Sequence, residues 1–152
     1  MVFGLLCEGG PDKQNSTLGF YKLEIKDEPE TGLKRISVGE EWGINLQELG
    51  LKTTGGVQSL ILTRTKASKL KFVLATQDKI YVIATRGVQI DSQEDHTFVA
   101  PKLYPFTTGF AVLSANSITV KKLNSLGVVD ENYAACSTIS NLVDIAYDWK
   151  NP

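Results

Sequence analysis

Residues that carry acid–base, thiol and metal chemistry are scarce in this chain of 152 residues, which has one His, two Cys and one Met. A lone histidine, His96, leaves hydrolytic triads and Cys/His dyads with a single candidate base, and it rules out a histidine pair for a metal. Asp95 precedes it, but adjacency in sequence does not orient an imidazole, so a solvated loop histidine is expected. Cys7 and Cys136 stand far apart. That spacing excludes a disulfide framework and a zinc cluster and favours two buried free thiols. Asp91, Glu94 and Asp95 lack the glycine and ligand spacing of a calcium loop. Gly9-Gly10-Pro11 and Gly55-Gly56 fit neither phosphate-binding pattern and read as turns. The chain is therefore expected to have no catalytic residue, no metal site and no cofactor, and not to be an enzyme.

An excess of one charge is also missing. Sixteen Lys+Arg face seventeen Asp+Glu, for a net charge of −1. A duplex-binding protein usually shows a basic surplus. Apolar runs are only a few residues long, against the ~20 that a spanning helix needs. The opening Met-Val-Phe-Gly-Leu-Leu-Cys lacks the basic region of a secretion signal. The sequon at Asn15 has the weight of a chance match. A soluble protein of the cytoplasm or of a virion, with no membrane partner, is the expectation.

What the sequence does contain is alternation. Residues 57–63, 70–75 and 79–85 read as successive strands, and the joints between them are short. Such joints connect only antiparallel neighbours, so a three-stranded meander is expected. Residues 18–26 alternate with a phase change near Tyr21, the mark of a bulge. The acidic turn with Pro29 and Gly32 then leads into 33–38 as a hairpin. Asn45, Glu48 and Gly50 suit one helical turn with caps at both ends. Residues 91–95 read as a solvated acidic loop, and Pro101 and Pro105 bracket an irregular segment. A second hairpin joins 110–113 to 118–120, with Asn116 suited to a left-handed turn position. Beyond it, a helical or irregular stretch near 130–141 and a final strand at 143–149 are expected, and no internal repeat is evident. The fold class is all-β: an antiparallel β-sandwich or partly open barrel with one or two short helical turns, in a single domain over 1–152.

Two clusters bear on function. Arg64, Lys66, Lys69 and Lys71 lie within eight residues and suit a single-stranded nucleic acid, with Phe72 and Tyr81 as stacking platforms. The alternation of Lys69 and Lys71 with Leu70 and Phe72 favours the wet face of a half-buried strand instead. The large aromatics Trp42, Tyr104, Phe106, Tyr133 and Trp149 are expected in loops, where such side chains anchor protein contacts. The leading expectation is a non-enzymatic structural or interaction module. It would be a subunit of a homo-oligomer or larger assembly, such as a capsid-decorating or tail component of a virion. A small-ligand or carbohydrate-binding sandwich using Trp42 and Tyr104 is the first alternative, and Glu40-Glu41 beside Trp42 would suit a sugar site. A single-strand-binding barrel is the second, and nucleic acid is the less favoured partner.

Overall fold

The computed structural model describes residues 2–7, 17–51, 56–85, 89–136 and 143–145. Eleven strands and no helix occur among them: β1 (Val2–Cys7), β2 (Thr17–Asp27), β3 (Lys34–Asn45), β4 (Ser59–Arg64), β5 (Leu70–Ala75), β6 (Lys79–Ala84), β7 (Ile90–Asp95), β8 (Lys102–Phe106), β9 (Gly109–Ser114), β10 (Ser117–Leu123) and β11 (Val129–Cys136). All pairings are antiparallel, so the fold is all-β. The chain divides into two compact units, Met1–Lys52 and Thr53–Pro152.

The first unit holds a three-stranded sheet in the order β1-β2-β3. Its β2–β3 hairpin turns through Glu28–Leu33, where the Gly32 N–H donates to the Glu28 carbonyl and Gly32 takes φ +67°. The phase change near Tyr21 is a register shift between Phe20 and Tyr21, as alternation predicts. After β3 the expected helical turn is a run of turns instead. The Asn45 side chain accepts from the Gln47 N–H at 2.9 Å, and Gly50 closes the run at φ +72°. The caps are present without the helix, because one turn of hydrogen bonds does not sustain propagation.

The second unit holds two four-stranded meanders, β4-β5-β6-β7 and β8-β9-β10-β11, each wound in chain order. They share one apolar layer. Val73, Ala75, Ile80 and Val82 of the first meet Leu103, Phe110, Val112 and Leu123 of the second, with Ile61 and Val129 at the margin. Strand period two sends Phe72, Leu74, Tyr81 and Ile83 to the other face of β5 and β6, where they too are buried. The first strands of the two meanders are joined by hydroxyls. Ser59 Oγ accepts from the Leu103 N–H at 3.0 Å, and Thr63 Oγ1 lies against the carbonyls of Phe106 and Gly109. Gly109 has no room for a side chain, since a Cβ there would stand 2.1 Å from the Lys121 carbonyl oxygen.

Several expectations are corrected. The meander has four strands rather than three, because 90–95 is the edge strand β7 and not a solvated loop. Its polar residues belong to a sheet edge that points charge inward. The segment with Pro105 is strand β8, also an edge, where a missing N–H is tolerated. The turn after β9 forms without a left-handed residue, as only Ser68 and Ala100 among described non-glycine residues have positive φ. Residues 129–136 pair with β10 instead of coiling, with register shifts in the ladder. Cross-strand hydrogen bonds override the helical spacing there. Residues 143–145 are not a strand, and the rest of that expected strand lies outside the described residues.

Two ion pairs stand inside the layer at one end of the sheets. Lys71 Nζ lies 2.5 Å from Asp91 Oδ2, both side chains nearly buried. Lys121 Nζ lies 2.8 Å from Glu94 Oε1 and donates to Asn132 Oδ1 at 2.8 Å. The Lys121–Glu94 pair spans β10 and β7, and Ser92 Oγ donates to the Gly127 carbonyl at 3.0 Å, so both tie the edge strand β7 to the second sheet. A buried ion pair gains little net stability, because desolvation offsets most of the attraction, but an unpaired buried charge is costly. Lys71→Met alone should therefore destabilise the fold by about 3–5 kcal/mol, and Lys71→Met with Asp91→Leu should recover most of that loss. Urea denaturation of the three proteins checks it, and equal losses in the single and double variants would refute it.

Candidate functional site

The outward face of the β8–β11 sheet gathers most of the expected contact aromatics. With Leu103, Phe110, Val112 and Leu123 turned inward, the alternate positions Tyr104, Phe106, Ala111, Leu113, Ile118, Val120 and Lys122 lie on the other face, where Ala111 and Leu113 are buried and the rest are partly buried. A cleft of ≈ 500 Å³ lies over them, lined by Tyr104, Phe106, Ala111, Ile118, Val120 and Lys122. Ile145 closes one side. The segment 143–145 is held there by two polar contacts. Lys102 Nζ donates to the Val143 carbonyl at 3.1 Å, and the Tyr104 hydroxyl donates to Asp144 Oδ1. Desolvation and the carboxylate together hold the Tyr104 hydroxyl above its ordinary pKa. The same bond keeps Asp144 below its own.

Tyr133 stands on this face beside Val120 in the β10–β11 ladder and is half exposed. Lys122 Nζ sits 5.3 Å from its ring centroid, a cation–π geometry. The Tyr133 hydroxyl donates to Glu131 Oε2 at 2.6 Å. Thus Tyr104, Phe106 and Tyr133 stand on strands rather than in the expected loops, and they share one surface. Trp42 stands on β3 opposite Phe20 in the ladder, with its side chain outside the described residues, and Trp149 lies outside them altogether. The side chains of Cys7 and Cys136 are likewise outside them.

The basic cluster does not stay together. Lys71 turns inward to Asp91, and Lys66 reaches across to Asp130 and Glu131 at 3.0 and 3.4 Å. Arg64 donates to the Ser68 carbonyl at 2.9 Å, within its own hairpin. Lys69 is exposed. The expected platforms Phe72 and Tyr81 are both buried.

His96 is half-buried rather than solvated. The Phe98 N–H donates to its Nδ1 at 3.1 Å, and its Nε2 lies 3.1 Å from the Thr76 carbonyl. An acceptor Nδ1 places the ring proton on Nε2, where it meets that carbonyl. The imidazole thus ties the exit of β7 to the β5–β6 turn and stacks on Phe98. Among the described residues no group of three or more His, Cys, Asp or Glu is placed to hold a metal ion. No helix among them is long and apolar enough to cross a membrane.

A feature the sequence reading missed organises this surface. The two meanders repeat one another in register. The cross-strand pairs Ile61–Val73, Val73–Val82 and Ala75–Ile80 of the first correspond to Tyr104–Ala111, Ala111–Val120 and Leu113–Ile118 of the second. The signal is present in the sequence. Residues 72–82 and 110–120 align without a gap, matching Phe72 with Phe110, Ile80 with Ile118 and Val82 with Val120. The outward positions of the second meander are those that the first buries against its neighbour.

Glu131 accepts from Tyr133 and faces Lys122 and Lys66, at 3.3 and 3.4 Å. The tyrosine hydroxyl first, then the two ammonium groups, bring its pKa from 4.5 to about 2. A folded-state value below the unfolded one means that the stabilisation is present above pH 4.5 and is lost as pH falls towards 2. Carboxyl-detected NMR titration should find Glu131 the low outlier, and Tyr133→Phe should move it up. An ordinary value in the wild-type chain would contradict the contact.

Comparison with protein-family models, with curated proteins and with solved structures finds no match for this chain.

Proposed function

We propose that the chain is a non-enzymatic interaction module, a subunit of a protein assembly that uses the outward face of β8–β11 as its contact surface. The observation that carries this reading is the register repeat. Tyr104, Ala111, Ile118 and Val120 stand where Ile61, Val73, Ile80 and Val82 stand in the preceding sheet, and those residues bury themselves against a neighbouring sheet. Ala111 is already buried, and the parts of Tyr104, Ile118 and Val120 still in water gain by leaving it, at roughly 25 cal/mol per Å² of apolar surface. Aromatic anchors in a cleft with a charged rim, here Tyr104 and Phe106 with Lys122 and Glu131, match the make-up of protein contacts. A virion shell or tail is one assembly of this kind.

Light scattering after size exclusion tests the reading, on the chain alone and after incubation with an extract of its source organism. The wild-type chain should run larger than a monomer in at least one of the two, and Val120→Lys should weaken that association tenfold or more. A chain that stays monomeric in both overturns the proposal.

A second reading draws on the cleft itself. Its ≈ 500 Å³ lies in the range of small-molecule pockets, which are mostly apolar with a few polar groups. Tyr104 would stack on the ligand, and Lys122 would orient it. A thermal-shift screen of sugars and small apolar compounds should then show a hit that Tyr104→Ala removes, and a screen without hits dismisses it. The nucleic-acid reading has the least support, since Lys66 and Lys71 are held by carboxylates.

A further inference from the structure

The Lys121–Glu94 pair has a third member that an ion pair does not need. Lys121 stands directly opposite Asn132 in a stretch of unbroken β10–β11 register, so the two side chains share the inward face. Lys121 Nζ lies 2.8 Å from Asn132 Oδ1 and 2.8 Å from Glu94 Oε1 on β7. A primary amine, a carboxamide and a carboxylate thus converge at one nitrogen. The other paired lysines of this unit, Lys66, Lys71, Lys79 and Lys122, meet carboxylates.

The three groups differ in their access to water. Lys121 is only 7% exposed, and Glu94 Oε1 is sealed from solvent. Ile80, Val82, Val128 and Val129 wall a cavity of ≈ 130 Å³ beside Glu94. Apolar walls lower the cost of passing a proton from Nζ to the carboxylate, since that step turns two charges into none. Asn132 lies on the edge strand β11 and is exposed, so a small leaving group has a way out.

We propose that Lys121, Asn132 and Glu94 form a self-cross-linking site, at which an isopeptide bond closes between Lys121 Nζ and Asn132 Cγ. Glu94 takes a proton from the ammonium and frees the Nζ lone pair. The lone pair attacks Asn132 Cγ once the carboxamide turns about its Cβ–Cγ bond. The Nζ–Cγ bond forms and the Cγ–Nδ2 bond breaks. Glu94 relays two protons from Nζ to Nδ2, which leaves as ammonium, and the carboxylate is restored. Nothing is oxidised or reduced. Asn132 is the acceptor rather than Glu94, because an ionised carboxylate is a poor electrophile. Holding the amine against the carboxamide replaces a bimolecular encounter with an intramolecular one, and a positioned acid–base group adds ~10²–10⁴-fold in rate. The reaction occurs once per chain and has no turnover. It goes beyond the reading of the chain as an interaction module and does not depend on it. The bond would fasten the edge strand β11 covalently to β10.

Mass spectrometry of the purified full chain tests the proposal. The wild-type chain should be lighter than its sequence by one ammonia. Trypsin should release from it a branched peptide that joins the stretch ending at Lys122 to the stretch containing Asn132. Lys121→Arg, which keeps a positive charge beside Glu94, and Asn132→Ala should each show their full sequence mass. Glu94→Gln should slow the loss of ammonia by about a hundredfold or more, with circular dichroism checking that it keeps the wild-type fold. A wild-type chain at full sequence mass overturns the proposal. So does a loss of ammonia without the branched peptide, since Asn132 would then be closing on its own backbone, and so does a loss that persists in Lys121→Arg. A folded Glu94→Gln chain that cross-links as fast as the wild type overturns it as well. Whatever the fold of the variants, the wild-type mass and the branched peptide decide the outcome.

Discussion

A strand sends successive side chains to opposite faces, so every sheet has two faces, and each apolar one must find cover. The second unit follows from that constraint. Its β4–β7 sheet is apolar on both sides, with Val73, Ala75, Ile80 and Val82 on one and Phe72, Leu74, Tyr81 and Ile83 on the other, all buried. The β8–β11 sheet hides one face by stacking on its predecessor and leaves the other with the same apolar positions and a cleft over them. Radial repetition of such meanders is a general way to hide sheet faces. Among the described residues two such meanders are stacked.

Charge inside the layer limits how that stack can slip. Lys71 and Lys121 occupy inward positions and meet Asp91 and Glu94 on the edge strand β7. A one-residue slip of β5 or β10 would carry its ammonium to the opposite face and leave the carboxylate on β7 without its partner, a loss larger than the pair's net gain. The hydroxyls of Ser59 and Thr63 act in the same sense at the other edge, where they hold β8 and the turn after it. Apolar burial thus supplies the attraction between the meanders, and polar contacts at both margins select one alignment.

The legible part of the sequence was the strand interiors. Strands β5 and β6 are buried on both faces and read as short apolar runs between turn signals, whereas the long β2–β3 hairpin with its bulge carries a period of two. The edges were harder to read. Strand β7 looks like an acidic loop because its charges face inward to lysines that are remote in sequence, and β8 contains a proline. The aromatics Tyr104, Phe106 and Tyr133 were visible as residue types, but their meeting on one face depends on a strand register that no local pattern encodes. The repeat was hidden for a related reason. Only three of eleven aligned positions are identical between 72–82 and 110–120, and what is preserved is which face each apolar side chain takes.

That mode of preservation bears on function. A catalytic site fixes a few reactive groups in exact mutual geometry, whereas a packing face requires only apolar volume at alternate positions. On the outward sheet Ile61 is answered by Tyr104, Val73 by Ala111 and Ala75 by Leu113, substitutions that exchange size but keep the character of the face. The titratable groups around it are similarly occupied. Glu131 is shared among a tyrosine and two lysines, and Asp144 is held by Tyr104. The one histidine has both ring nitrogens engaged in joining β7 to a turn. Groups spent on orienting strands and a covering segment define the border of an apolar surface.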